Sequence, residues 1–164
     1  MPQTGMRFAI YRIRLHAPRM TVHNSLDGTG KKILVIDDDL AIRVLLQAVL
    51  RRMKFDVELA EDGAVGLEKL QRDGGIDLIL LDLMMPRLNG YEFIEEIGKR
   101  YPDLRPHIVV FTAAGKRGVD KIADDAICNS ILKPFDLDKF IEIIGDCLDG
   151  RHPTTDGAPI RSVE

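Results

Sequence analysis

Asp37, Asp38, Asp82, Thr112 and Lys133 are the residues of this 164-residue chain whose types and places suit chemistry. Asp37 and Asp38 belong to an acidic run, Asp37-Asp38-Asp39, that directly follows the apolar run Ile33-Leu34-Val35-Ile36. Asp82 closes Leu78-Ile79-Leu80-Leu81, Thr112 closes Ile108-Val109-Val110-Phe111, and Lys133 stands between Ile131-Leu132 and Pro134. Adjacent carboxylates repel, and one more brought in from another strand raises the cost unless a cation enters or one group takes a proton. Mg2+ answers that repulsion, because this hard ion is held by one or two carboxylates together with water and phosphate oxygens, whereas an all-protein cage suits Ca2+ better. Plainer roles are open to each residue: Asp82 as a helix N-cap or loop acid, Thr112 as a cap of the loop after it, Lys133 as a surface lysine.

A parallel sheet is what must position these groups. Short apolar runs bounded by turn signals read as strands buried on both faces, and ligands of open α/β sheets bind in the crevice outside the carboxyl ends of the strands. After the first run, Ile42, Leu45, Leu46, Val49, Leu50 and Met53 recur at helical spacing, which predicts an amphipathic helix. Residues 55–60 alternate, Val57 and Leu59 against Asp56 and Glu58, as suits an edge strand. A helix over about 64–72 stops at Asp73-Gly74-Gly75, and Pro86 with Asn89-Gly90 predicts a turn that shapes the loop leaving Asp82. A helix over 91–100 turns Phe93, Ile94 and Ile97 inward; residues 113–118 read as a flexible loop, and Val119, Ile122, Ala123 and Ala126 as a short helix. Asp136 is placed to cap a last helix running to about Leu148. The expected fold is α/β: a five-stranded parallel sheet in flavodoxin-like order 2-1-3-4-5, with helices on both faces and right-handed crossovers.

With these strand ends the stretch from about Lys31 to Gly150 resembles the receiver domain of two-component response regulators, in the single-domain, chemotaxis-regulator-like form. The resemblance implies that Asp82 is the phosphoacceptor, that Asp37 and Asp38 are the acidic pair holding Mg2+, and that the Met84 carbonyl is a further metal ligand. By the same resemblance Thr112 is the hydroxyl that follows the phosphoryl group and Lys133 the cation that pairs with it. The implied donor is a sensor histidine kinase or a histidine phosphotransfer protein, and the implied output is contact with a downstream protein, with a homodimer also compatible. One departure stands out. Receivers usually carry an aromatic two residues before the last apolar position of the fifth strand, and here Ser130 holds that place, in a stretch from Thr112 to Lys133 about one residue short. Ser130 lacks the ring that swings inward in such switches; the pocket itself is untouched.

Composition bounds the rest. The length allows one domain with short extensions, and a net charge of -3 argues against binding DNA by bulk charge. No apolar run is long enough to span a bilayer, and arginines break up the N-terminal apolar residues where a signal peptide needs an unbroken core. Cys128 and Cys147 are distant and lack metal-ligand spacing, so buried packing is the expectation, and sparse cysteine fits a reducing, cytoplasmic location. Residues 1–30, with Arg7, Arg12, Arg14 and Arg19 against Asp27, read as a basic and disordered extension whose true start is Met20, while 151–164 read as a disordered tail. Gly28-Thr29-Gly30-Lys31-Lys32 is not a phosphate-binding P-loop: it lacks the first glycine and the hydroxyl, and it precedes a strand instead of following one. The expected domain is residues 31–150, a stand-alone receiver. Two other functions stay open: a receiver-like scaffold that turns over no phosphate, and a Mg2+-dependent phosphohydrolase, which usually presents a second Asp where Met84 stands here.

Overall fold

The computed structural model describes residues 26–151 apart from residue 124. The basic stretch before residue 26, including the alternative start at Met20, and the tail after Arg151 lie outside the described residues. In chain order the elements are β1 (Lys32–Ile36), α1 (Leu40–Arg52), β2 (Asp56–Ala60), α2 (Gly63–Asp73), β3 (Leu78–Leu81), α3 (Gly90–Arg100), a 3-10 turn (Pro102–His107), β4 (Ile108–Thr112), α4 (Gly115–Val119), β5 (Asn129–Leu132) and α5 (Leu137–Leu148). All strand pairs are parallel, and the sheet order is β2-β1-β3-β4-β5, as expected.

The continuous apolar runs divide by the twofold period of a strand. Ile33, Val35, Leu78, Leu80, Val109 and Phe111 face one layer, where they pack with Leu46 and Leu50 of α1 and Phe140 and Ile144 of α5. Leu34, Ile36, Ile79, Leu81, Ile108 and Val110 face the other, against Leu70 of α2 and Phe93, Ile94 and Ile97 of α3. Each fully buried aliphatic side chain contributes roughly 1.5–3 kcal/mol. The alternating strand β2 lies at the sheet edge, with Val57 buried and Asp56 exposed.

Helix starts follow local chemistry. Asp39 caps α1 by accepting from the amides of Ala41 and Ile42, Asp62 caps α2 from Val65, and Asp136 caps α5 from Asp138 and Lys139. Asn89 and Glu92 form a reciprocal capping box at α3. The residues Asn89-Gly90, read as a turn, thus also start this helix.

Several features differ from expectation. α4, Gly115–Val119, falls largely on residues 113–118, the stretch read as a loop, and ends at Val119, where the expected helix was to begin. The Tyr91 hydroxyl donates to the Gly118 carbonyl at 3.0 Å, and a Cβ on Gly118 would meet Ala114 Cβ at 2.7 Å, so this turn of helix is seated by a contact with α3. Cys128 and Cys147 do not merely pack. They form a disulfide, with their Cα atoms 6.0 Å apart, that ties the segment entering β5 to the end of α5. A disulfide is rare in a reducing compartment, so the sparse cysteines do not support the expected reducing location. Leu26 packs on the core beside Gly145, and the Gly28 amide donates to the Met53 carbonyl at 2.8 Å, so the folded unit takes in residues before Lys31.

Candidate functional site

The sheet ladder extends one residue beyond the apolar strands, and those extra bonds set the site. The Asp37 amide donates to Ala60 of β2 at 3.2 Å, the Asp82 amide to Ile36 of β1 at 2.9 Å, and the Lys133 amide to Thr112 of β4 at 2.9 Å. Asp37, Asp82 and Lys133 are therefore fixed by their backbones at the carboxyl edge of the sheet. Gly90 packs the loop after β3 so tightly that a Cβ there would lie 2.4 Å from the Asp82 carbonyl oxygen.

Asp37, Asp38 and Asp82 meet: each offers a carboxylate oxygen within 4.8 Å of those of the others. Asp37 and Asp82 are buried and Asp38 is exposed. Lys133 Nζ lies 2.5 Å from Asp37 Oδ2 and 3.5 Å from Asp82 Oδ2. The same ammonium stands 4.7 Å from the centre of the Phe111 ring, a favourable cation–π placement. Burial pushes the Asp37 carboxyl above its ordinary value and the Asp82 charge adds to that, although the Lys133 bond and the Asp39 amide pull the other way. The pocket is thus short of positive charge. An all-oxygen, partly open carboxylate cluster of this kind fits Mg2+.

Other sequence-chosen residues fall as follows. The Met84 side chain is exposed, while its backbone amide lies 3.4 Å from Asp82 Oδ1, which brings the Met84 peptide beside the cluster. Thr112 is fully buried on the neighbouring strand, and its hydroxyl accepts from the Ala114 amide at 3.1 Å, so here it serves as the cap of its loop. Ser130 is half-buried on β5 opposite Val110. Asp39, the third acid of the run, is spent on capping α1. Sequence reasoning missed Arg43, which donates to the Asp37 carbonyl at 2.5 Å, and Phe111 beneath the lysine. Phe111 was visible as the aromatic next to Thr112; Arg43 carried no signal beyond its place one turn into α1.

An apolar groove adjoins the pocket. Ile42, Leu45 and Val49 of α1 face Pro134, Phe135 and Leu137, with Lys133 at its end. Leu40 and Val44, at 63% and 53% exposure, extend this apolar surface along α1.

Replacing Lys133 by Met leaves Asp37 and Asp82 facing each other without their counter-charge. Breaking a buried pair from one side costs 3–5 kcal/mol; with Asp38 open to water the expected loss is about 2 kcal/mol at neutral pH. Urea melts of Lys133→Met with and without Mg2+ check this, the expectation being a lower midpoint in EDTA that millimolar Mg2+ largely restores.

Comparison with known proteins agrees with this geometry. The profile of the response regulator receiver domain matches residues 33–145. The chain is 36% identical over 120 residues to the DNA-binding transcriptional regulator NtrC of Rhizobium meliloti (73% of this chain, 24% of that protein). It is 38% identical over 115 residues to the response regulator MprA of Mycobacterium leprae (67% of this chain, 47% of that protein), so it spans less than half of either relative. Among solved structures, a CheY-like receiver domain protein from Methanospirillum hungatei JF-1 superposes with a TM-score of 0.67 at 27% identity, covering 74% of this chain and 95% of that one. The response regulator TrrA from Thermotoga maritima, solved with Mg2+ and BeF, superposes with a TM-score of 0.64 at 32% identity, covering 71% and 98%. A profile match over most of the chain, on this strand order, makes the protein a member of the response regulator receiver domain family.

Proposed function

We propose that this domain accepts a phosphoryl group on Asp82 from a phosphohistidine and passes the signal on by protein–protein contact. The observation that carries this reading is the meeting of three carboxylates and one lysine at the sheet edge, with Asp38 exposed beside the buried Asp37 and Asp82. An Asp82 oxygen attacks phosphorus, the O–P bond forms as the P–N bond to the donor imidazole breaks, and the freed imidazole nitrogen takes a proton. Asp37, Asp38, Asp82 and the Met84 carbonyl would hold Mg2+, which when bound supplies positive charge to the phosphoryl oxygens. Lys133, paired with Asp37, is within reach of Asp82 and offers a second positive charge to the same oxygens. Thr112 would release the Ala114 amide to donate its hydroxyl to the phosphoryl group, moving the loop after β4. Water later hydrolyses the acyl phosphate and resets the domain.

The donor is a sensor histidine kinase or a histidine phosphotransfer protein, and the apolar groove of α1 beside Lys133 is a suitable place for it to dock next to Asp82. We place the receiver at residues 31–150 together with the short stretch from Leu26 that packs on it, open to homodimerisation and reading no DNA through this domain itself. Among the described residues no helix is long and apolar enough to cross a membrane. A cytoplasmic location is proposed from the kind of phosphodonor and not from the cysteines.

The test is incubation with Mg2+ and acetyl phosphate followed by intact-mass measurement. One phosphoryl group per chain, lost in EDTA, is the expected result. A scaffold takes up none, and Ser130 in the place of the usual aromatic is what favours that second reading. Steady turnover of unrelated phosphate esters would instead mark a hydrolase.

A further inference from the structure

Asp62, the N-cap of α2, is fully buried, and one of its oxygens accepts from the Val65 amide at 2.9 Å. Its other oxygen lies against the guanidinium of Arg87, which reaches across from the loop between β3 and α3 and also bonds Glu61 at 2.7 Å. Arg87 itself has φ 64°, a left-handed conformation uncommon for a residue with a side chain, so the surrounding contacts hold it there. A second tie runs alongside: the Gly63 amide donates to the Leu88 carbonyl at 3.2 Å. Further along, the Gly90 amide donates back to the Leu83 carbonyl at 3.0 Å, closing the loop on itself. Its first residues include Met84, whose amide lies 3.4 Å from Asp82 Oδ1.

We infer that Arg87 is a positioning residue for the phosphoacceptor pocket: by clamping the β3–α3 loop to Asp62 and Glu61, it fixes the turn that holds the Met84 peptide beside Asp82 and a bound Mg2+. This rests on the receiver reading of the site. The physical reason is specific to this pair. A buried carboxylate needs a counter-charge, and the guanidinium that faces it is carried by the same short loop that carries Met84, so neutralising Asp62 also sets the loop. The ion pairs of Arg87 are with Glu61 and Asp62, outside the Asp37, Asp38 and Asp82 cluster. Its effect reaches that cluster through backbone placement, as groups behind metal ligands do.

The test is calorimetric titration of Mg2+ into the full chain, in wild type, Arg87→Ala, Arg87→Lys, Asp62→Asn and the Arg87→Ala/Asp62→Asn double variant. Arg87→Ala is expected to weaken Mg2+ binding about tenfold, the lower end for loss of a supporting partner. Arg87→Lys recovers most of the affinity. The double variant binds no more weakly than the weaker single one, because both changes break one clamp. If Arg87→Ala fails to fold, Arg87→Lys and Asp62→Asn carry the test, the second showing the tenfold loss while its amide oxygen still caps Val65. A purely structural part for Arg87 would lower the melting temperature and leave the Kd of the folded protein alone, so a Kd within twofold of wild type overturns the inference. Absence of Mg2+ binding in wild type overturns the receiver reading first and this inference with it.

Discussion

Asp82→Asn is expected to bring acetyl phosphate labelling to background while the domain stays folded, with its Mg2+ affinity reduced. The amide keeps the shape of the carboxylate at a position fixed by the bond from its own backbone to Ile36, so no packing is lost. What disappears is the nucleophile: an amide oxygen carries no full charge and cannot form the acyl phosphate. The substitution also takes one charge out of a crowded cluster. Asp37 is held above its ordinary pKa by burial first, with Asp82 adding to it. A carboxyl raised in this way favours folding below its unfolded value and loses that contribution as pH rises through its folded value. Wild type in EDTA should therefore lose stability on going from the ordinary carboxylate range toward neutral pH, and Asp82→Asn should lose less over the same range. Urea melts at pH 4, near the ordinary carboxylate value, and at pH 7 check the sign; a steeper loss in Asp82→Asn would contradict the assignment of Asp82 as a contributor to that shift.

Reduction of the Cys128–Cys147 disulfide is expected to cost the domain about 3 kcal/mol, the chain-entropy value for a closed loop of this length. The sequence separation is 19, and the loop it closes holds β5, Lys133 and the greater part of α5. For a domain of this size that is a drop in melting temperature on the order of 10 °C. Both sulfurs lie in the core layer with Phe140 and Ile144, so the staple fastens α5 to the edge strand that carries the lysine. Comparing the same protein with and without a dithiol reductant isolates the bond from any change of packing. An unchanged midpoint, with two thiols titrating in the untreated protein, would contradict the pairing.

Much of this architecture is legible because the strands advertise themselves twice, once as uninterrupted apolar runs and again as a polar residue at each carboxyl end. Ile33–Ile36 with Asp37, Leu78–Leu81 with Asp82 and Ile108–Phe111 with Thr112 each needed no distant information. Asp136 as a cap of α5 was equally local. The features that escaped are those made by residues remote in sequence. α4 owes its position to Tyr91 and to the absence of a side chain on Gly118, and two glycines in a five-residue helix read locally as a loop. The cysteine pair has no local signature, since it depends on where α5 crosses the start of β5. Asp62 and Arg87 come from different loops, and nothing in either segment announces the other. The acids proposed to hold Mg2+ were distinguishable from Asp39 only through the family resemblance; in the fold Asp39 turns to the helix and Asp37 and Asp38 to the pocket.

The claim that matters most is that Asp82 itself carries the phosphoryl group. Treating the protein with acetyl phosphate and Mg2+, trapping any acyl phosphate by borohydride reduction to homoserine, and mapping the modified peptide tests it directly. The account predicts modification at Asp82 alone, dependent on Mg2+. Modification at Asp37 or Asp38 in place of Asp82, or none with Mg2+ bound, would contradict it.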